Sequence, residues 1–407
     1  MHILFLTQVL PYPLDAGPKV RAYYVLRYLA QHHTVTLVSF VRPTDTPAAL
    51  AHLRGFCRDI YTTPMPRGRW LDASHLMRSL VTNTPFLIAR DEVRAMRRLL
   101  TEVLDSSGPY DAVHADQLWM APYALYAQQR STVRNRPQVT LDQHNAVYLI
   151  PTRMQQGTRH PLKRRLLDIE ARKLTRYETE VCRRFDHVVW VTQEDYQAVS
   201  LHANGAGGQL RNSGVIPICT EVEAHARLPR SAAPRRVTFL AGLHYPPNAE
   251  GVMWFAREVF PAVLAKQPDA VLTVIGKQPP AELRRLPIPA ANLEITGYVA
   301  DPQVYLEQTA AFIVPLHAGG GMRVKILDAW RWGLPVVSTC IGAEGIRITP
   351  GQDVLIADTA GDFADATVHL LCNAAAGQQI ADAGFATLSR HYDWRTIYRM
   401  WDSIYPR

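Results

Sequence analysis

The residues with the clearest capacity for chemistry lie between Gly319 and Val337, in the stretch GGGMRVKILDAWRWGLPVV. Glycines ahead of a helix let backbone N–H groups close on an anion, and the helix amino terminus adds a positive partial charge. A phosphate or diphosphate fits such a loop at Gly319, Gly320, Gly321 and Met322. Arg323 and Lys325 fall in the first helical turn, where the dipole disfavours cations and a bound anion would offset the repulsion. Asp328, five residues past Arg323, stands about 8 Å further along the helix axis, a span that reaches from a diphosphate to ribose hydroxyls. The same residues also read as a loose turn followed by a solvated face, with Asp328 and Lys325 paired locally.

The neighbouring pattern supplies elements that would hold this loop. Ala310 to Leu316, AAFIVPL, has the length and apolar content of a buried parallel strand. Val324, Leu327 and Trp330 then recur every third position, as on one face of a helix. Gly333 ends that helix and Pro335 opens the next strand, PVVST.

This stretch resembles the donor-binding segment of GT-B glycosyltransferases of retaining family 4, whose pattern is E-G-F-G-x-P-x-x-E-A-x-x-x-G-x-P-V-V. Asp328 and Ala329 fall on the second Glu and its Ala, and Gly333, Pro335, Val336 and Val337 match in place. Gly320 stands where the family has its first Glu, and Lys325 where it has the helix-starting Pro. The resemblance implies that Arg323 and Lys325 take over diphosphate binding and that Asp328 holds ribose.

The chain opens with a strand, His2 to Leu6, rather than a signal peptide, since it lacks a basic leader and runs into Pro11 and Pro13. A loop from Thr7 to Lys19 follows, then a helix from Val20 to Gln31 and the strand VTLVSF. This is the opening of a doubly wound domain, whose ligand crevice lies at the carboxyl ends of the strands. No G-x-G-x-x-G occurs in the first loop, which argues against a dinucleotide-dependent hydride transfer. Gly17, with Asp15, resembles a reduced form of the family's Gly-rich cleft loop, although a proline-stiffened connection accounts for Asp15 as well.

Tyr110 to Ala115 and Gln138 to Leu141 read as further strands, with His114, Asp116, Asp142, His144 and Asn145 at their ends. Polar groups at two strand ends in one crevice are well placed for chemistry. His144 resembles the family's cleft histidine, which implies contact with the donor sugar or acceptor; a loop histidine satisfied by backbone is the structural alternative.

In the second half, VTFLAG (Val237 to Gly242), a helix over GVMWFAREVFPAVL and AVLTVIG repeat the strand and helix alternation. AGLHYPPNAEGV resembles the first loop of the family's second domain, with Leu243 and Asn248 where the family has diphosphate-holding residues, making Gly242, His244 and Asn248 donor-side candidates. LEITGYVAD resembles the stretch whose backbone, here at Tyr298 and Val299, meets the nucleobase. The closing HYDWRTIYRMWDSIY resembles a terminal helix crossing back to the first domain on Trp394, Ile397, Tyr398 and Trp401.

At 407 residues the chain can build two full cores, and 47% hydrophobic with 20% charged residues describes a globular protein rather than a disordered one. Five scattered cysteines show no metal spacing and read as buried thiols in a reducing cytoplasm. No acidic triad at ligand spacing calls for a metal. The net charge of +8 concentrates in Arg153 to Arg184, read as one long helix. That segment suits an anionic membrane surface or a lipid-linked acceptor, although its acids are interleaved at ion-pairing distance. Aromatic interleaving of the nucleic-acid kind is lacking.

The expected architecture is α/β and GT-B, with two Rossmann-like domains facing across a cleft. Its parts are an acceptor domain over 1–227, a linker over 228–236, a donor domain over 237–388 and a returning helix over 389–407. The expected activity is transfer of a sugar from a nucleotide diphosphate sugar to a hydroxyl of a glycan or lipid-linked acceptor, with retention. It would take place in the cytoplasm or peripherally at the inner membrane face, with no other cofactor and no nucleic acid. The rival readings are a nucleotide-sugar epimerase of the same fold and a non-catalytic nucleotide or glycan binder.

Overall fold

The computed structural model describes residues 1–131, 136–158, 160–204, 210, 212–224, 227–228 and 235–407. Arg159 of the basic run and residues 229–234 of the expected linker lie outside the described residues. The chain forms two compact units, one of Met1–Cys219 with Trp394–Arg407 and one of Thr220–Asp393.

The first unit is built on seven strands: β1 (His2–Thr7), β2 (Thr34–Val41), β3 (Asp59–Pro64), β4 (Ala112–Asp116), β5 (Gln138–Gln143), β6 (His187–Trp190) and β7 (Ser213–Val215). All pair in parallel, in the order β3-β2-β1-β4-β5-β6-β7, with Ile3 opposite both Val35 and Ala112. Strands such as β1 read as unbroken apolar runs because both faces of the sheet are covered. The order reverses between β1 and β4, which opens a crevice at their carboxyl ends.

Several boundaries differ from the sequence expectation. Strands β4 and β5 end later than Ala115 and Leu141, so Asp116 and Asp142 lie within strands, and with His114 they are fully buried. The last strand is Ser213–Val215 rather than Val215 to Ile218, because Pro217 has no N–H for the ladder. Ile216 and Ile218 are nonetheless buried, as loop residues that fill the core. Gly17 is the first residue of the Gly17–His32 helix rather than part of the loop, since Pro18 is preorganised for the first turn. The returning segment is two short turns, Trp394–Ile397 and Tyr398–Ser403, in place of one helix. Trp394, Tyr398, Trp401 and Tyr405 anchor it, while Ile397 is only half-buried.

The second unit has six parallel strands: β8 (Arg236–Leu240), β9 (Val271–Ile275), β10 (Leu293–Gly297), β11 (Thr309–Val314), β12 (Val336–Ser338) and β13 (Leu355–Ile356). Their order, β10-β9-β8-β11-β12-β13, reverses between β8 and β11. Two parallel α/β sheets of this kind are the GT-B architecture. Gly251 allows the Pro246–Trp254 helix to lie against this reversal point, since a Cβ there would stand 2.6 Å from the Pro315 carbonyl oxygen. Of the cysteines, Cys57, Cys182 and Cys219 are buried thiols, whereas Cys340 and Cys372 are exposed, contrary to expectation. Cys340 lies in the turn after β12, and Cys372 is the exposed last residue of the Ala360–Cys372 helix.

Candidate functional site

In the second unit the glycine loop follows β11 and leads into the Val324–Arg331 helix. Gly319 and Gly321 hold φ of 117° and 72°, the left-handed region in which a side chain would be strained. Met322 is buried, so only its backbone can face a ligand. Arg323, 6% exposed, folds back on the loop. Its Nη1 donates to the Gly320 carbonyl at 2.8 Å, its Nε to that of Ile341 at 3.2 Å and its Nη2 to Glu344 Oε2 at 3.4 Å. The guanidinium thus braces the loop from behind and is partly neutralised by Glu344, a residue the sequence did not single out.

Lys325, in the first turn of the helix, donates from Nζ to Asn248 Oδ1 at 2.6 Å, and Asn248 Nδ2 donates to the Gly242 carbonyl at 2.9 Å. Residues picked from two separate stretches of the sequence therefore form one hydrogen-bonded chain, across the carboxyl ends of β8 and β11. Burial, with Arg323 adding repulsion, pushes the Lys325 ammonium down to about 7. A lysine held this way gains most from an anion beside it. Asp328 pairs with Arg331 at 3.3 Å rather than with Lys325, and burial raises its carboxyl above the ordinary value while Arg331 opposes the shift.

His244 is exposed beside Gly242, and Tyr245, another residue missed in the sequence, places its hydroxyl 3.5 Å from where a Gly319 Cβ would stand. Tyr298 follows β10 with 61% of its surface exposed, and Lys277 Nζ lies 4.4 Å from its ring centroid. Val299 is half-buried next to it. An exposed ring held over a cation, at the carboxyl edge of the same sheet, could stack on a flat heterocycle.

In the first unit the polar groups of β4 and β5 form a buried network. Arg21, from the Gly17–His32 helix, grips Asp142 through two bonds of 2.9 Å and donates to the Pro217 carbonyl at 2.6 Å. Its guanidinium lies 5.3 Å from both the Tyr398 and Trp401 ring centroids. Burial alone would raise the Asp142 carboxyl, but Arg21 and His114 hold it well below the carboxylate range. His114 in turn bonds the Tyr405 hydroxyl at 2.9 Å, which makes it part of the core rather than a site residue.

His144, just past β5, is 8% exposed and hydrogen-bonds Asp116 Oδ1 through Nε2 at 2.8 Å. Its Nδ1 is buried with no hydrogen-bond partner. With Nε2 donating to Asp116, Nδ1 is the acceptor of the ring. The backbone around it is clamped: Asp195 accepts from Ala146 N at 2.8 Å, and Glu178 from Val147 N at 2.9 Å and Tyr148 N at 3.1 Å. Burial, eased by those donors, pushes Glu178 up to about 8. Gly17 lies at the amino end of the helix that carries Arg21.

Asp116, Asp142 and His144 offer ligand atoms within 4.8 Å of one another, the one such grouping among the described residues. Both Asp142 oxygens already accept from Arg21, and Asp116 is engaged by His144. The donor set is a neutralised hydrogen-bond network with a fixed cation inside it, which does not suit a metal ion.

Residues 234–373 match the model of the family described as glycosyl transferases group 1. An uncharacterized protein from the cps region of Klebsiella pneumoniae is 29% identical over 169 residues, which is 40% of this chain and 44% of that relative's length. Among solved structures, HepE of Anabaena, bound to UDP, superimposes over 100% of this chain and 99% of its own with a TM-score of 0.67 at 15% identity. Sucrose-phosphate synthase of Thermosynechococcus elongatus does so over 100% and 98%, with a TM-score of 0.68 at 16% identity. The matched residues hold the glycine loop, Arg323, Lys325, Asn248 and Tyr298, and the chain thus has the GT-B fold with a stretch in its second unit that is similar to the glycosyl transferases group 1 family.

Proposed function

We propose that the chain is a glycosyltransferase that moves a sugar from a nucleotide diphosphate sugar to an acceptor hydroxyl. The observation that carries this reading is the hydrogen-bonded run Lys325–Asn248–Gly242 beside the glycine loop, at the reversal point of the second sheet. The chemical task is to stabilise charge on the departing nucleotide diphosphate as a sugar cation develops. The loop amides, the amino end of the Val324–Arg331 helix and the Lys325 ammonium do this in a fixed, partly dry setting, and Arg323 keeps the loop in shape. Tyr298 and Val299 meet the base, Asp328 the ribose, and Gly242, His244 and Asn248 line the diphosphate. HepE has been solved with UDP-glucose, which supports a UDP-sugar as the first donor to try.

His144 orients the transferred sugar or the acceptor, and the family resemblance favours retention at the anomeric carbon. The acceptor is a glycan or a lipid-linked sugar. The basic Leu149–Gly157 and Pro161–Cys182 helices fit a peripheral contact with an anionic membrane from the cytoplasmic side. Of the interleaved acids, Glu170 accepts from the Phe86 and Leu87 amides and Glu178 is buried, while Asp168 offsets Arg172 and leaves the exposed Lys163, Arg164 and Arg165 at the start of the longer helix.

A thermal-shift screen against UDP-, GDP-, ADP- and dTDP-sugars tests the reading, because a bound donor raises the unfolding temperature. One responding donor, followed by slow release of its sugar to water or to an acceptor, is the expected outcome. Binding without any sugar release would leave a nucleotide binder, and conversion of the donor to its epimer would leave an epimerase.

A further inference from the structure

The Arg69–Val81 helix of the first unit is amphipathic in the wrong direction. Among its thirteen residues only Ser79 is buried. Asp72 and His75, which share its inner side with Ser79, are half-buried. The large apolar residues face away: Trp70 is 91% exposed, Val81 80% and Met77 61%. On a helical projection these three fall within about 40° of one another, and Ala73 and Leu80 lie on the adjoining arc. A surface helix ordinarily buries such a stripe and presents the polar side to water. A helix of this length does not hold its shape alone, and here polar contacts dock it. Lys173 donates to the Ser79 carbonyl and, at 2.7 Å, to that of Thr82, while Arg78 faces Glu92 at 3.8 Å.

The charge around the stripe selects its occupant. Arg67, Arg69 and Arg78 lie on or beside the helix, and its one acid, Asp72, is turned inward. The helix that supplies Lys173 begins with a fully exposed turn in which Leu162, 62% exposed, precedes Lys163, Arg164 and Arg165. A tryptophan-led apolar stripe with cations at its borders is the arrangement that partitions into the headgroup boundary of an anionic bilayer. No helix among the described residues is long and apolar enough to cross a membrane.

We infer that the Arg69–Val81 helix is a membrane-docking element. It lies flat in the interface with Trp70, Met77 and Val81 inserted, while Lys163, Arg164 and Arg165 meet anionic headgroups. This deepens the membrane contact proposed above, and vesicle binding needs no sugar nucleotide, so it fails or stands separately from donor binding.

The test is flotation of the full chain with phosphatidylcholine vesicles, with and without phosphatidylglycerol. The protein should float with the phosphatidylglycerol vesicles and lose that binding as salt rises. Trp70→Ser and Met77→Ser, both on the solvent side and neutral for folding, should each lower partitioning roughly tenfold. Lys163→Ser with Arg164→Ser should lower it by about tenfold or more on anionic vesicles only. Absence of flotation at low salt, or flotation indifferent to Trp70→Ser and Met77→Ser, overturns the inference. So does a concentration-dependent dimer, dissociated by the same substitutions without vesicle binding, which would assign the stripe to a second copy of the chain.

Discussion

Donor affinity should depend on pH through Lys325. In the free protein its ammonium loses a proton at about 7, because burial and Arg323 disfavour the charge. A diphosphate beside it favours the ammonium and draws the value back toward the ordinary 10.5. Between those limits the complex holds more protons than the free protein, so binding takes up a proton and affinity falls as pH rises. If only the protonated lysine binds, the competent fraction drops about tenfold between pH 6 and pH 8. Calorimetry with a sugar nucleotide, whose diphosphate does not itself titrate in that range, reads the effect directly. Repeating it in buffers of different ionisation heat counts the protons, which should approach one per donor at the alkaline end. Lys325→Arg keeps the charge at every pH and should flatten both curves. Donor binding in the parent protein that is equally tight across this range, with no proton uptake, would refute the assignment of Lys325 to the diphosphate.

Arg323→Ala removes three bonds to the loop wall, and donor KM should rise at least tenfold in steady-state kinetics, with a loss of roughly 1–3 kcal/mol in stability from the bonds lost to the Gly320 and Ile341 carbonyls and to Glu344; unchanged values for both would detach Arg323 from the site. Asp116→Asn and His144→Asn should lower kcat while leaving donor affinity within about twofold, because both stand in the first unit; equal losses in donor binding, read by calorimetry, would count against an acceptor-side or sugar-side role. Arg21→Met strands a buried carboxylate and should cost about 3–5 kcal/mol in denaturant unfolding. Since Asp142 is depressed below its unfolded value, its contribution is present above the ordinary carboxylate pKa and disappears as pH falls through the folded one. The gap between Arg21→Met and the parent should therefore narrow in acid, and a gap constant down to acid unfolding would contradict the pairing.

Much of the architecture was legible because parallel strands buried on both faces leave continuous apolar runs, as in LFL of β1 and AAFIV of β11. The Val324–Arg331 helix was equally plain from its period. Strand ends were not, because Asp116 and Asp142 continue a ladder in polar residues whose partners, His144 and Arg21, come from outside the strand that carries them. The orientation of Arg323 was illegible for the same reason, since Glu344 and the Ile341 carbonyl come from beyond the next strand. Periodicity also conceals sign. The Arg69–Val81 segment has the spacing of an ordinary surface helix, and only the fold determines which side meets the protein. The chain of Lys325, Asn248 and Gly242 was half visible: Gly242 and Asn248 were marked together in one segment and Lys325 in a helical turn far from it, but nothing in the letters joined the two stretches.

The segment Trp394–Arg407 belongs to the first unit although it is the last part of these 407 residues to be synthesised. Tyr398 caps the Arg21 guanidinium and Tyr405 the His114 ring, so the opening half of the chain leaves the ribosome with its interior unfinished. It must wait, partly open, while the whole of the second unit is translated and can fold ahead of it. Order of manufacture and order of completion are therefore reversed in this protein. A chaperone that shelters nascent chains would find its substrate in the part made first.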